Sequence, residues 1–526
     1  MQKNMIINLK NNKNKIIGAL LYIFFLVIVC INFYTKLIHE DTCGPKSKIL
    51  FVCLFTFVSV LAGCIIVFIN KKNNIKPEKI FLVIATTMGI IYLFATPLFK
   101  GHDEQYHWYK SYAVSLGKFK EVSGENGVLG DFLPRMVDDV FEIQGFFTGI
   151  NYKTSIAAWK YSIFNKEEND NKFIYNAPTA VYPPIQMAPQ AIGIFISRLI
   201  GVDTYTQGIF GRLGNLCFFI IMGYFSIKNI PTKKYFLVAY LLSPKIMYIS
   251  STMSGDVFTN SIIIFFISYI MRLRASNEIL TKKEIIILLL ITPCVAVCKA
   301  IYFPICFMIF MLPKEKFKNS KDKLIKLIGI LLIAISFAFI WTSVSKNVVI
   351  DTTSNTPGGN QLSYVLSHPI SYIGVLIRGV CDNFIEWSED IVGGNMEWGA
   401  GLTQPTIVSA IVYMVFIIAL ANEEEENEEN KLKVWEIILI TIAILIVIAG
   451  ALSAMYIQWT PNYTEIGGLK IIGVQGRYFV PIMLLIALLI PKKYIEIKNK
   501  LDYKWIYIIM VLCEVFSLIN IFTNNI

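Results

Sequence analysis

Charge is scarce in this chain. Only 16% of its 526 residues are Asp, Glu, Lys or Arg, against about 25% in soluble globular domains. Mean hydropathy is +0.57, and the apolar residues come in long blocks, which excludes an ordinary soluble domain and indicates a polytopic membrane protein. The net charge of +11 does not form the one-sided basic face that a nucleic-acid binder needs, so no nucleic-acid partner is expected. The ten cysteines lack metal-ligand spacing. Cys294 and Cys298 are four apart, but no His or further Cys accompanies them, so no metal centre is expected. No small-residue cleavage site follows the first apolar block, which starts at Ile16, so that block reads as a retained helix. There is no GK[ST] phosphate loop. No internal repeat of similar period is evident either, which counts against a transporter built from repeats.

What is present is a succession of apolar blocks. Membrane helices are expected near 16–36, 48–70, 79–98, 209–228, 235–251, 256–272, 285–298, 301–313, 324–345, 404–421, 434–455, 476–490 and 504–521. The pair 285–313 suits a tilted or partly inserted hairpin. The fold class is therefore all-α, a bundle of about 13 transmembrane helices. With the N-terminus in the cytoplasm, the cytoplasmic segments hold 28 of the 48 Lys and Arg in far less chain than the external loops, as the positive-inside rule requires. The acidic run at 422–430 reads as a solvated linker. Two long external segments remain, 101–208 and 346–403, both with amphipathic pieces suited to juxtamembrane helices. One of these, 182–201, opens with three prolines in eight residues and reads as juxtamembrane or re-entrant.

The external ends of the apolar blocks carry ionisable residues, which are costly at membrane depth and are site candidates for that reason. "GHDEQYHWYK" (101–110) places Asp103 and Glu104 directly after the third block, beside His102 and His107. A helix over 104–116, stopped by Gly117, would make Asp103 its N-cap; a carboxylate here could equally take a proton from an attacking hydroxyl. Asp256 in "MSGDVFTN" has the same two readings, a cap or a site residue. Arg212, Lys299 and Arg477 each end an apolar segment. They either snorkel to the interface or converge on a lipid-linked phosphate, with Arg supplying a bidentate contact and Lys a point charge. "GGNMEWGAGLTQP" (393–405) offers a tight turn with an aromatic wall. Tyr182, Trp387 and Trp398 could stack on sugar rings, although aromatic belts at interfaces are common.

"HDEQYHWYKSYAVSLG", "YPPIQMAPQAIGIFISRLIG", "GRLGN", "SGDVFTN", "CKAIYFP" and "GVQGRYFVPIMLL" occur in that order. Together this set resembles the DUF2142 family of bacterial membrane proteins from about residue 80 to 490, and through it the GT-C glycosyltransferases. The resemblance implies a GT-C-like helical core over 76–490, an N-terminal extension of two helices over 1–75 and a C-terminal helix over 491–526. It also implies transfer of a hexosyl or pentosyl unit from a polyprenyl-phosphate donor to an acceptor outside the cytoplasm, with Asp103 as base and Glu104 as its neighbour. The related aminoarabinose transferases have "KPP" where this chain has "VYPP", without the lysine.

The expectation is a cell-membrane, multi-pass, inverting glycosyltransferase. Asp103 and Glu104 are the catalytic candidates; Arg477, Lys299 and Arg212 would hold the donor phosphate; His102, His107, Asp256 and Tyr182 are further candidates. The partners would be a polyprenyl-phosphate-linked sugar, an envelope glycan or lipid-linked acceptor, and membrane lipids. No cofactor is required, although a divalent cation such as Mg or Mn could be held by Asp103, Glu104 and His107. The competing readings are a transporter or flippase for lipid-linked glycans, which would need polar residues lining a path through the bilayer, and a non-catalytic envelope-assembly protein.

Overall fold

The computed structural model describes residues 2–39, 44–71, 75–124, 128–145, 149–165, 170–345, 357–397, 405–423, 430–491 and 502–526. Most of these residues are helical. Among the described residues eight helices are long and apolar enough to cross a membrane. They contain or coincide with Gly18–Thr35, Pro45–Lys71, Pro77–Ala95, Thr204–Asn229, Gly255–Ala275, Ser320–Ser345, Val434–Gln458 and Lys504–Asn525. The first of these windows is only 11% buried within the chain, whereas Gly255–Ala275 is 89% buried. The helices thus grade from a lipid-facing rim to a central axis.

The expected count of about 13 is not met. Five apolar segments break or stay short, and each break has a local cause. The block at 235–251 divides into Lys234–Leu241 and Pro244–Ser250, because proline removes a helix donor and is tolerated only in the first turn. The pair at 285–313 becomes the helix Lys282–Cys298 and a 3-10 segment, Ala300–Met311. Extended backbone at Lys299 separates them (φ −151°, ψ 133°). The block at 476–490 begins as a 3-10 turn around Pro481, Gly476–Ile482, and only then becomes the short helix Met483–Leu489. The block at 404–421 yields a 17-residue helix, Thr406–Asn422. The external segment 346–403, expected to bear amphipathic surface helices, contains Pro357–Ser367 and Pro369–Val392. These two helices meet at 110° and together are apolar enough for a broken span or re-entrant loop.

The expected helical class holds with one small addition. Within 101–208 lies a small antiparallel sheet of β1 (Val122–Ser123), β2 (Leu129–Pro134) and β3 (Asn171–Tyr175), in the order β1-β2-β3. Phe132 lies opposite Phe173 in its register. The sheet and the helix Met136–Glu142 cover a second core made by Leu98, Phe99, Trp108, Tyr112, Leu133 and Val137. Trp108 is fully buried there, and its indole N–H donates to the Val137 carbonyl at 2.9 Å.

The segment expected to be juxtamembrane forms the helix Pro184–Ile200, which packs on Glu104–Ser115 and on Thr204–Asn229. Two glycines permit the second contact. A Cβ on Gly193 would lie 2.1 Å from the Phe210 carbonyl oxygen, and one on Gly214 would lie 2.1 Å from that of Pro189. This is the small-residue packing that lets membrane helices approach backbone to backbone. It brings Arg212 beneath the 96–104 turn.

Candidate functional site

Asp103 and Glu104 are adjacent in sequence but have different surroundings. Glu104 opens the helix Glu104–Ser115 and is fully buried against Arg212. Arg212 Nε and Nη2 each donate to one Glu104 oxygen at 2.7 Å. The N–H groups of Met253 and Gly101 donate to the same carboxylate at 2.8 and 3.1 Å. The rest of the guanidinium donates to the carbonyls of Leu93, Thr96 and Pro97 at 3.1, 2.6 and 2.8 Å. All five N–H bonds of an arginine are thereby satisfied. Arg212 has no donor left for a phosphate, and Glu104 has no oxygen facing solvent. This pair ties the end of Pro77–Ala95, the start of Glu104–Ser115 and the middle of Thr204–Asn229 into one unit.

Asp103 sits at the N-cap position, yet its side chain makes no capping bond. Its backbone is left-handed (φ 57°, ψ 16°), an uncommon conformation that Asp and Asn tolerate better than other L residues. The carboxylate turns instead to Arg477, whose Nη2 donates to it at 2.8 Å across 374 residues of sequence. The Asp103 side chain is 45% exposed and that of Arg477 only 8%. Asp256 does not cap either. Ser254 is the N-cap of Gly255–Ala275 and accepts from the Asp256 N–H. The Asp256 carboxylate accepts from Lys299 Nζ at 2.7 Å and lies 3.7 Å from Arg477 Nη1. Four elements thus join in a row: Lys299, Asp256, Arg477, Asp103.

Arg477 differs sharply from Arg212. Among the described residues its guanidinium makes a single hydrogen bond, the one to Asp103, and its buried Nε has no partner. Aromatic rings surround the two cations. Lys299 Nζ lies 4.9 Å from the centre of the Tyr478 ring and 5.7 Å from that of Tyr182, and the Arg477 guanidinium lies 5.7 Å from that of Tyr478. His107 stacks on Tyr182 (5.6 Å between centres, 10° between planes), and its Nδ1 accepts from the Gly255 N–H at 3.3 Å.

Sequence reasoning missed the third ion pair of this network. Lys245 bonds to Asp390 and to the Asn395 carbonyl, and Asp390 accepts from the Arg477 backbone N–H at 3.3 Å. The available signal was a lone lysine inside the apolar block "LLSPKIMYIS", a costly placement. Tyr478 was also missed, although it adjoins Arg477. Three acids and three bases make the cluster neutral before any ligand arrives.

The electrostatics follow the geometry. Burial disfavours the Asp103 carboxylate, but Arg477 outweighs it and, with His107 and His102, holds Asp103 below its ordinary value of 3.8. Burial, reinforced by Lys245 and Arg477, holds half-buried His102 down to about 3. His107 is held at about 4, again chiefly by burial. Both rings are neutral at pH 7. The set Asp103, Glu104 and His107 does not fit a divalent cation, because Glu104 is closed by Arg212 and His107 Nδ1 already accepts from Gly255. Among the described residues no three His, Cys, Asp or Glu side chains are grouped to hold one. Trp387 is buried, with its N–H donating to the Val474 carbonyl at 3.1 Å. Trp398 and most of the run 422–430 lie outside the described residues.

The family model described as "Predicted membrane protein (DUF2142)" matches residues 86–486. The chain belongs to the DUF2142 family. The matched part of this DUF2142 chain contains all six residues of the ion-pair network, Asp103, Lys245, Asp256, Lys299, Asp390 and Arg477. The first two membrane helices and Lys504–Asn525 fall outside it. No curated protein and no solved structure matches the chain.

Proposed function

We propose that this protein is a membrane glycosyltransferase of GT-C type that takes a sugar from a polyprenyl-phosphate carrier at the outer face of the cell membrane. One observation carries the reading. Arg477 is a buried arginine with most of its donors unused, held beside Lys299 and joined to a half-exposed carboxylate. A phosphate presents the oxygen geometry that an arginine fork binds bidentately, and the Tyr182 and Tyr478 rings wall the same space. The distribution of Lys and Arg supports reading this end of the bundle as the outer one.

In the proposed reaction the donor phosphate takes the fork of Arg477 with Lys299 beside it, displacing Asp103. The freed Asp103 accepts the proton of the acceptor hydroxyl. That oxygen attacks the anomeric carbon from the face opposite the phosphate, forming the new C–O bond as the bond to the phosphate oxygen breaks. Configuration inverts, and polyprenyl phosphate leaves with the negative charge, which Arg477 and Lys299 stabilise most at the transition state. Asp256 fixes both cations, His107 orients Tyr182, and Glu104 with Arg212 anchors the turn that carries Asp103. The acceptor is an envelope glycan or a lipid-linked saccharide.

The test is transfer by the purified protein from a panel of synthetic polyprenyl-phosphate sugars to envelope acceptors, read by mass spectrometry. Product from at least one donor is expected. Binding of donors without product from any pairing would favour a carrier-lipid transporter.

A further inference from the structure

The last membrane helix, Lys504–Asn525, carries an acid that the proposed reaction does not use. Glu514 is ten residues from the first position of that helix and eleven from the last. At 1.5 Å per residue it lies about 15 Å from either end, the middle of a hydrocarbon core about 30 Å thick. It is fully buried, and among the described residues neither of its oxygens closes a well-formed hydrogen bond, the Tyr92 hydroxyl being the group that approaches it. An ionised carboxylate there is costly unless something shares its charge.

What faces it is also unsatisfied. The Tyr92 side chain, from Pro77–Ala95, is fully buried beside the Glu514 carboxyl and Ser517, and among the described residues its hydroxyl closes no well-formed bond with either. The Tyr248 ring meets that of Tyr92 edge-on at 6.4 Å. Its hydroxyl is likewise buried and without a partner. Tyr248 is three residues from Lys245 and so reaches the end of the bundle that holds the ion-pair network. At the same end Asn525 donates to Glu397 at 2.6 Å, and Glu397 pairs with Gly101. In the other direction the buried Tyr507 hydroxyl, two turns before Glu514, is separated from it by apolar side chains. Met510 and Val511, one turn before Glu514 on the same helix face, are fully buried. Adjacent buried polar groups with unused hydrogen-bonding capacity demand a shared proton, water or ion. A metal cation takes about six or more oxygens, and two carboxylate oxygens and one hydroxyl are too few.

We infer that Glu514 is an intramembrane proton-binding site, loaded from the end that carries the ion-pair network through Tyr248 and Tyr92. The carboxylate takes one proton from water at that face and returns it there, one hydroxyl handing on its proton as it accepts the next. The groups around Glu514 are the Tyr92 hydroxyl, the neighbouring Cys513 thiol and, on the far side of the Tyr92 hydroxyl, Ser517. The helices Pro45–Lys71 and Thr406–Asn422 also pack on this helix but bring no charged group against Glu514. This site stands independently of the glycosyltransferase reading.

The test is labelling of the full-length protein in nanodiscs with a lipophilic carbodiimide, which reacts with protonated carboxyls, followed by peptide mass spectrometry. An adduct at Glu514 is expected near pH 6, with a yield that falls as pH rises to about 9. After a pH jump the yield should readjust at least about tenfold more slowly in Tyr248→Phe and Tyr92→Phe than in wild type. Wild-type labelling does not depend on the folding of any variant, and Glu514→Gln checks the assignment. Absence of the adduct from about pH 5 to 9, a yield indifferent to pH, or protection by sodium at constant pH would overturn the proposal. An unchanged readjustment rate in both tyrosine variants would overturn the path.

Discussion

On the proposed function, replacing Asp103 by Asn should strengthen binding of a lipid phosphate while abolishing sugar transfer. Asn is close in shape to Asp and tolerates the left-handed backbone found at 103, so the turn should survive. What changes is competition. In the cluster the Asp103 carboxylate takes the one guanidinium hydrogen bond that Arg477 makes among the described residues, at 2.8 Å. A phosphate must displace it. Two unit charges about 4 Å apart attract by about 4 kcal/mol at an effective dielectric of 20. Asp103 is 45% exposed, which moves the figure toward the value of about 1 kcal/mol or less for exposed pairs. A net competition of about 1–2 kcal/mol corresponds to a binding gain of about 5–30-fold. The assay is equilibrium binding of a short-chain polyprenyl phosphate to wild type, Asp103→Asn and Arg477→Gln in nanodiscs. If Asp103→Asn binds no more tightly than wild type while Arg477→Gln loses binding, Asp103 does not compete for the guanidinium and the exchange step fails.

Further expectations concern the parts around this exchange. Glu104→Gln leaves the buried Arg212 charge uncompensated, which should cost about 3–5 kcal/mol of stability; the melting temperature should fall while transfer per folded molecule persists. Loss of transfer in well-folded Glu104→Gln would instead put Glu104 in the chemistry. Gly193→Val forces a side chain into the Phe210 carbonyl and should reduce folded yield in detergent, where an exposed Gly→Val change would not. Lys299→Gln should raise the donor KM about tenfold in steady-state assays. His107 is held at about 4 against 6.5 when unperturbed. The unfolded chain therefore binds more protons than the native state between those values, and stability falls as pH drops below 6.5. The loss reaches about 2 kcal/mol by pH 5, and His107→Gln should flatten that part of a melting-temperature profile.

The lipid-facing helices were legible because their signal is local. Long apolar blocks such as 48–70 and 434–455 declare themselves by length, and the structure returns helices there. The break between 285–298 and 301–313 was legible, whereas 235–251, 301–313 and 476–490 misled for a shared reason: hydropathy measures how apolar a stretch is, not whether its backbone can remain one α-helix. Pro244, Pro304 and Pro481 were visible, but their effect depends on which neighbours resatisfy the freed backbone groups. Those breaks also carry Lys245, Lys299 and Arg477, so the irregularities that spoiled the helix count are what brings the cluster together. The small sheet was missed because its strands are only two, six and five residues long, too short to show a clear alternation of apolar and polar residues.

Within the site, sequence drew attention to Asp103, Asp256, Lys299 and Arg477, whose side chains the fold does bring into contact. It could not separate Asp103 from Glu104 or Arg477 from Arg212. Each pair shares a chemical type and a position at the end of an apolar block. They differ only in three-dimensional surroundings: Arg212 meets three carbonyls left by the turn after Pro77–Ala95, and Arg477 meets none. The sequence-stretch reading of Asp103 as a cap fails for a similarly non-local reason, since the carboxylate finds a stronger partner 374 residues away.

The most direct test of the central claim separates occupancy from chemistry at one residue. Wild type and Asp103→Asn are loaded to saturation with the same polyprenyl-phosphate sugar, and a single turnover to acceptor is followed by product mass. The account predicts full donor occupancy in both, product in wild type with inverted anomeric configuration, and a loss of at least about a hundredfold in rate for Asp103→Asn. Equal rates at equal occupancy would contradict it, leaving Asp103 as a surface partner of Arg477 and no base at this site.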